Sequence, residues 1–344
     1  MIADQQIADI QALESCIGKA PGALDLKVID HLDRWAHIWI ASSTLLIAGF
    51  GASAQHDAPA SIGITLAGGR CGFVTAPTPG QLSIPLHALD DAELAVPGCG
   101  FGGLFLSPGW GETLRVNGRV ATVEAGMVRI TVEECFLHCA KALIRSEFWK
   151  AQPVTTPTPT APAEFAESVR FLALATINER GHADVSPKGD PAGTLLKIAE
   201  GEARFAERPG NRRADSFRNM LTQPRAALLL IIPGSPQVAS ISGNARMVTD
   251  PALREAFMVA GKIPALVTQL RDTDIRLYTS QALQRAPLWP AGERAPGIEP
   301  AKIFTDHVKL SKERGLQASL ARGLLSVPGL MRRGLDQDYK HNLY

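Results

Sequence analysis

The sequence has no excess charge of either sign: 35 lysines and arginines stand against 34 aspartates and glutamates, a formal net charge of +1. That balance argues against partners attracted by bulk charge, such as nucleic acid or an anionic membrane, and leaves only local charge to interpret. The opening MIADQQIADIQALESC lacks the basic stretch and apolar run of a secretory leader. No apolar run approaches the roughly 18 residues of a membrane span. A cytoplasmic protein without membrane contact is therefore expected. Cysteine is sparse: five residues, Cys16, Cys71, Cys99, Cys135 and Cys139, form an odd and scattered set that suits free thiols better than a disulfide framework.

The 344 residues suffice for two ordinary domains, since single cores usually stop growing at about 250 to 300 residues. KAQPVTTPTPTAPA, Lys150 to Ala163, is rich in Pro and Thr, has no periodicity, and reads as an extended spacer. The halves on either side echo each other. LFLSPGWGETLRVNGRVATV (Leu104 to Val123) lies over LLLIIPGSPQVASISGNARMV (Leu228 to Val248), each an apolar run, Pro-Gly, then a β-rich run ending at Gly and a basic residue. ALIRSEFW (Ala142 to Trp149) lies over ALQRAPLW (Ala282 to Trp289). Pro108 to Gly118 and Pro233 to Gly243 also have the same separation, and three matches in the same order imply duplication of one unit. Short, β-branched apolar runs between Pro and Gly read as strands of a barrel or sandwich, giving mainly β halves with helical additions. Helices are expected within Ile10 to Ile40, around Phe136 to Arg145, from Arg213 to Leu221, from Pro251 to Val259, and in the Leu-rich tail after Leu310.

Two motifs point elsewhere. LLIAGFGASA (Leu45 to Ala54) fits a dinucleotide fingerprint, but the following Pro59 and Gly63 make a poor helix and no acidic residue lies near twenty positions on, so a strand entering a glycine turn is expected. Cys135, His138 and Cys139 would share one helical face, but no fourth ligand is near and no metal is expected.

The densest local charge is RPGNRRADSFRN, Arg208 to Asn219, where a turn runs into a helix that Asp215 or Asn211 could cap. A helix start exposes unpaired N–H groups and the positive end of the dipole, and Arg212 and Arg213 add forks suited to phosphate oxygens, with Ser216 in the first turn. The alternative is a solvated basic face. ADVSPKGDPAG (Ala183 to Gly193) lies upstream, and antiparallel pairing is expected to bring Ser186 and Lys188 beside the arginine turn.

FLALATINERGHADVSPKGDPAG, RFAERPGNRRADSFRNMLTQPRAALLLIIPG and SGNARMVTDP together resemble the FMN-binding split β-barrel family typified by pyridoxamine 5′-phosphate oxidase, over most of Phe165 to Pro251. The resemblance implies that Arg212 and Arg213 hold the FMN phosphate, with Asn211 in place of a preceding hydroxyl residue. It implies a cofactor role for Lys188, backbone from Asp184 through Val185 and Ser186 to Pro187 along the flavin ring, and Glu207 near the ribityl chain. The family's arginine five residues before the lysine is absent, since Ala183 stands there. Family members are usually homodimers with FMN at the interface. The first half lacks the phosphate motifs but keeps GETLRVNGRV and VEECFLHCAKALIRSEFW; the second half shows the reverse. These complementary losses imply one composite FMN site per chain. Thr113, Lys141, Arg145 and Trp149 are the first half's candidates, each with a plainer reading as helix surface or core.

The expected architecture is thus mainly β (α+β): two tandem split β-barrels forming an intrachain pseudo-dimer. Its parts are an N-terminal helical extension (1–40), a degenerate barrel (41–149), the linker (150–163), an FMN-phosphate-binding barrel (164–290) and a C-terminal extension (291–344). The expected activity is that of an FMN-dependent oxidoreductase acting on a small molecule, with NADH or NADPH as a possible electron donor and further homodimerisation open. Pyridoxamine phosphate oxidation itself is not expected, because no second phosphate clamp is visible. The alternatives are an FMN store or sensor without turnover, and a barrel that binds haem or, against the neutral charge, nucleic acid.

Overall fold

The computed structural model describes residues 6–19, 26–54, 58–154, 159–210, 213–311 and 330–344. Among the described residues, fourteen strands form two antiparallel sheets of seven. The first holds β1 (Leu45–Ala52), β2 (Ser61–Gly68), β3 (Thr75–Thr78), β4 (Gln81–Pro85), β5 (Gly100–Leu106), β6 (Thr113–Glu124) and β7 (Met127–His138), in the order β2-β1-β5-β6-β7-β4-β3. The second holds β8 (Phe171–Ile177), β9 (Ala183–Gly189), β10 (Leu196–Ala199), β11 (Glu202–Ala206), β12 (Arg225–Ile231), β13 (Gln237–Val248) and β14 (Val267–Thr279), in the order β9-β8-β12-β13-β14-β11-β10. The two orders coincide when seven is added to each strand number. The duplication read from three sequence matches is therefore present in the connectivity of every strand.

The near-continuous apolar runs follow from burial on both faces of a strand. Successive side chains alternate between faces. In β8, Leu172 and Leu174 enter the second half's own core with Phe165, Phe205 and Phe217, while Phe171, Ala173, Ala175 and Ile177 enter a core shared between the halves. In β1, Leu46, Ala48 and Phe50 enter the first half's core, while Leu45 and Ile47 enter the shared one. Each central strand thus serves two cores, which leaves few positions for polar residues. Gly49 and Gly51 lie inside β1, not at a turn, and Gly49 faces Ala175 and Val185 of the other sheet.

Neither sheet closes into a hydrogen-bonded barrel, which corrects the barrel expectation: β2 and β3 edge one sheet, β9 and β10 the other. The second sheet instead curls. Lys188 on edge strand β9 reaches Glu207, just after β11, at 2.5 Å although the strands lie far apart in the sheet order. The gap is bridged by side chains, and the proximity of β9 to the arginine turn comes from this curl, not from strand pairing.

The helices are α1 (Ile10–Ile17), α2 (Arg34–Ser42), α3 (Lys141–Arg145), α4 (Pro162–Ser168), α5 (Asp215–Thr222), α6 (Pro251–Glu255), α7 (Gln281–Arg285), α8 (Pro300–Leu310) and α9 (Leu330–His341). The helix expected from Phe136 is a strand as far as His138, because the β6–β7 ladder runs to the Thr113–His138 pair. Cys135 and His138 consequently share no helical face, and among the described residues no group of His, Cys, Asp and Glu is placed to hold a metal. The short helices α3 and α7 occupy equivalent positions and each docks on the other half's sheet. A Cβ on Gly189 of β9 would lie 2.0 Å from the Ala142 carbonyl oxygen, and one on Gly68 of β2 would lie 2.0 Å from that of Ala282. Only glycine permits these two contacts. Among the described residues, no helix is long and apolar enough to cross a membrane.

Candidate functional site

The α3–β9 contact brings two sets of residues into one cleft. Its lining includes His138, Cys139, Lys141 and Arg145 from the first half and Ser186, Pro187, Lys188, Glu207, Arg208, Arg213 and Ser216 from the second. Among these, Lys141, Arg145, Lys188, Arg208 and Arg213 are cationic and Glu207 is the one carboxylate. The lining's cations outnumber its carboxylates and suit an anion, although Lys141, Lys188, Arg208 and Arg213 are paired with Asp338, Glu207, Asp190 and Asp215. Asn211 and Arg212 lie outside the described residues.

The end of β7 and α3 supply the first half's lining, and β6 lies behind it, reaching the cleft residue Ser186 through Arg115. Period-two alternation sends Leu114 and Val116 into the core and leaves Thr113, Arg115 and Asn117 on the face toward the second half. Arg115 is 2% exposed; it donates to Ser186 Oγ at 2.8 Å and pairs with Asp215 at 3.3 Å, while its Nε has no partner among the described residues. Thr113 is buried and its hydroxyl likewise lacks a partner among the described residues. Arg213 pairs with Asp215 at 2.5 Å, and its guanidinium lies 4.4 Å from the centroid of Phe136, on the opposite half. Arg213 is therefore held at the junction of the halves and not in bulk solvent.

Behind this lining a hydroxyl network fixes α5 to β9. Ser186 Oγ lies 2.6 Å from Ser216 Oγ, Ser216 donates to Asp184 at 2.9 Å, and Asn219 donates to the other Asp184 oxygen at 2.9 Å and to Thr176 at 3.0 Å. Burial pushes the Asp184 carboxyl up to about 6, against the opposing pull of Arg115. Val185 faces the shared core, so what this position offers the cleft is backbone.

Cations crowd the aromatic ring of Phe136. Lys27 donates to the Leu137 carbonyl at 2.8 Å and lies 5.4 Å from the ring centroid; burial brings its pKa down to about 8. Burial, then Arg115 and Lys27, hold the His138 imidazole well below its usual value, so it is neutral at pH 7. Arg208 pairs with the fully buried Asp190 at 2.6 Å, leaving Nη2 of the arginine and Oδ1 of the aspartate without partners among the described residues. Trp149 is not among the cleft-lining residues: its Nε1 donates to the Trp110 carbonyl at 2.6 Å and its ring packs edge-on against Phe148.

Sequence reasoning missed Lys27, Arg115, Phe136 and Arg208. Arg115 left a signal, a cation between the apolar Leu114 and Val116. Lys27 left none, because its segment reaches the cleft only through the packing of the N-terminal region on β7, where Ile29 and Cys135 exchange backbone hydrogen bonds.

The equivalent position in the other half is filled by the chain itself. Asp90 accepts from the Ala282 backbone N–H at 2.7 Å and from Ser280 Oγ at 2.5 Å, at the start of α7. Asp91 pairs with Arg276 at 2.7 Å, and Arg285 donates to the carbonyls of Ala88 and Gly68. Carboxylates of the first half thus take up the donors that a second anion would need.

Comparison with solved structures finds several of low identity. HupZ of Group A Streptococcus is 14% identical, covering 35% of this chain and 96% of that chain, with a TM-score of 0.29. An FAD binding protein from Mycobacterium smegmatis is 18% identical over 37% of this chain and 99% of that chain, with a TM-score of 0.25. HutZ, described as a heme storage protein from Vibrio cholerae, is 12% identical over 35% and 94%, with a TM-score of 0.24. No curated protein matches the chain significantly. Among family models, the one described as pyridoxamine 5′-phosphate oxidase matches residues 159–284, the part of the chain that carries the second sheet and the arginine turn.

Proposed function

We propose that the chain binds one FMN between its two halves and uses it as an oxidoreductase acting on a small molecule. The observation that carries this reading is the composite lining of the cleft, in which Lys141 and Arg145 of one half meet Ser186, Lys188, Arg213 and Ser216 of the other. The match of residues 159–284 to the pyridoxamine 5′-phosphate oxidase model supports the same cofactor class. The donors present fit an anionic nucleotide: cations outnumber carboxylates in the lining, and the buried Arg208 Nη2 has no partner among the described residues.

On this reading Arg212, Arg213 and Ser216, with Asn211 before them, hold the phosphate at the start of α5. Lys188 and Glu207 orient the ribityl chain, and backbone from Asp184 to Pro187 lines the ring. Lys141 and Arg145 place positive charge where the ring gains negative charge on reduction, with Thr113 on the adjoining strand. Bound flavin supplies the redox chemistry; the protein binds it, orients it and excludes water. His138 stays neutral at pH 7, because burial and the cations Arg115 and Lys27 oppose its protonation. Trp149 takes no part, since it lies among Phe148 and Trp110.

The second reading is FMN storage or sensing without turnover, favoured by the filled equivalent position in the other half, where Asp90 and Asp91 already take up the donors. Oxidation of NADH or NADPH by FMN-loaded protein separates the two: steady turnover supports the enzyme, and a bound flavin that stays oxidised supports the store. The absorption spectrum also separates flavin from haem. Replacing Arg213 with Ala is expected to weaken FMN by about 10- to 100-fold, the worth of a charge-assisted hydrogen bond, and to leave riboflavin unchanged. Equal loss of both, read by quenching of flavin fluorescence, overturns the phosphate assignment.

A further inference from the structure

The end of the chain lies across the cleft just described. Asp338 of α9 sits 2.9 Å from Lys141 Nζ, and the Leu343 carbonyl accepts from Arg145 Nε at 2.6 Å. The Tyr344 ring stacks near the Arg145 and Arg208 guanidiniums, 5.4 and 5.8 Å from its centroid. Tyr339 clamps the helix in place: its hydroxyl accepts from the Ala140 N–H and donates to Glu112, each at 3.2 Å. With these contacts made, Lys141 is 3% exposed and Arg145 8%.

The same two cations are those that the first half offers a bound flavin. Volume tells a consistent story. The cleft has about 70 Å³, whereas sites for small organic ligands usually have about 300 to 1,000 Å³. A chamber of about 670 Å³ adjoins it, shares Lys141, Glu207, Arg208 and Gly210 with it, and is walled by Asp338, Asn342 and Tyr344. Movement of the tail would join the two spaces.

We propose that residues 338–344 are an intramolecular competitor for the cations of the cleft, and that a flavin nucleotide must displace them from Lys141 and Arg145 to seat fully. This rests on the flavin reading above. A carboxylate and a backbone carbonyl of the tail occupy donors that the cofactor needs, and because the tail is tethered it competes at an effective concentration that does not fall on dilution. The measured affinity for FMN is then lowered by the fraction of molecules whose cleft is covered. The tail thereby covers buried cations in the cofactor-free protein and reports cofactor loading by its release.

The test uses the full chain in two arms. In the first, hydrogen exchange of the peptide spanning 330–344 is followed with and without saturating FMN; faster exchange on loading is expected. In the second, FMN is titrated into the wild type and into the double variant Asp338→Ala/Tyr339→Phe; binding about tenfold tighter in the variant is expected. Tail protection that is unchanged or increased at saturation overturns the proposal while leaving the flavin site intact, as does a variant that binds FMN no more tightly. Failure of both proteins to bind FMN overturns the flavin reading and this inference together. If the variant does not fold, the exchange arm on the wild type decides.

Discussion

Asp184 couples the chemistry of the cleft to the stability of the fold. Its carboxyl titrates near 6 in the folded chain, above the value of an exposed aspartate, so the folded state holds a proton that the unfolded state has lost. Stability from this group therefore falls as pH rises from about 4 to 6 and levels off above, with a span on the order of 2 to 3 kcal/mol. Asp184→Asn removes the titration, and urea unfolding at pH 4.5 and pH 7 is expected to show a flatter pH dependence than the wild type. A variant as pH-dependent as the wild type would place the stress on another group. The sequence marked Asp184 only through its place in a strand motif. Its partners Ser216 and Asn219 come from α5, Asn219 also bonds Thr176 of β8, and nothing local in the chain announces that these groups converge. Arg213 was legible because its turn, its partner arginine and the following helix are contiguous. Arg115 left only a cation between apolar residues and Lys27 left nothing, because their placement depends on which face of β6 meets the second half and on the packing of the N-terminal region on β7.

At the scale of elements, strands were easier to read than helices. Runs such as FLALATI and AALLLII are apolar throughout because alternate side chains serve different cores, and a strand is the element that can divide them in this way. FLHCAKALIR was read as one helix because its apolar residues also recur at helical spacing; the ladder to β6 overrides that local preference as far as His138, and only Lys141–Arg145 coil. The compact docking of α3 and α7 hinges on two glycines. Gly189→Ala and Gly68→Ala each force a Cβ against a backbone carbonyl and are expected to lower stability by about 1 to 3 kcal/mol. Their effects on the site should differ. Displacing α3 moves Lys141 and Arg145, so Gly189→Ala should weaken FMN, while Gly68→Ala disturbs only α7 and should leave FMN affinity unchanged. Thermal melts and flavin titration of the two variants provide the comparison.

For the whole molecule, the matching strand orders imply two equivalent positions, and on the flavin reading only one of them would accept a ligand. Flavin released from the saturated, denatured protein is expected at one FMN per chain, because Asp90 and Asp91 already bond the donors on the opposite side. Two per chain would mean that those carboxylates yield to the cofactor. The halves also show why duplication was legible in the sequence while the open edges of the sheets were not: repeated segments survive as strings, but whether a sheet closes depends on long-range curl that no string records. Joining the halves in one polypeptide carries a further consequence. In an assembly of two identical subunits, a carboxylate placed as Asp90 is would appear at both nucleotide positions and abolish both. Covalent fusion breaks that bookkeeping of symmetry, so that one pocket can be sealed for rigidity while its twin stays chemically open.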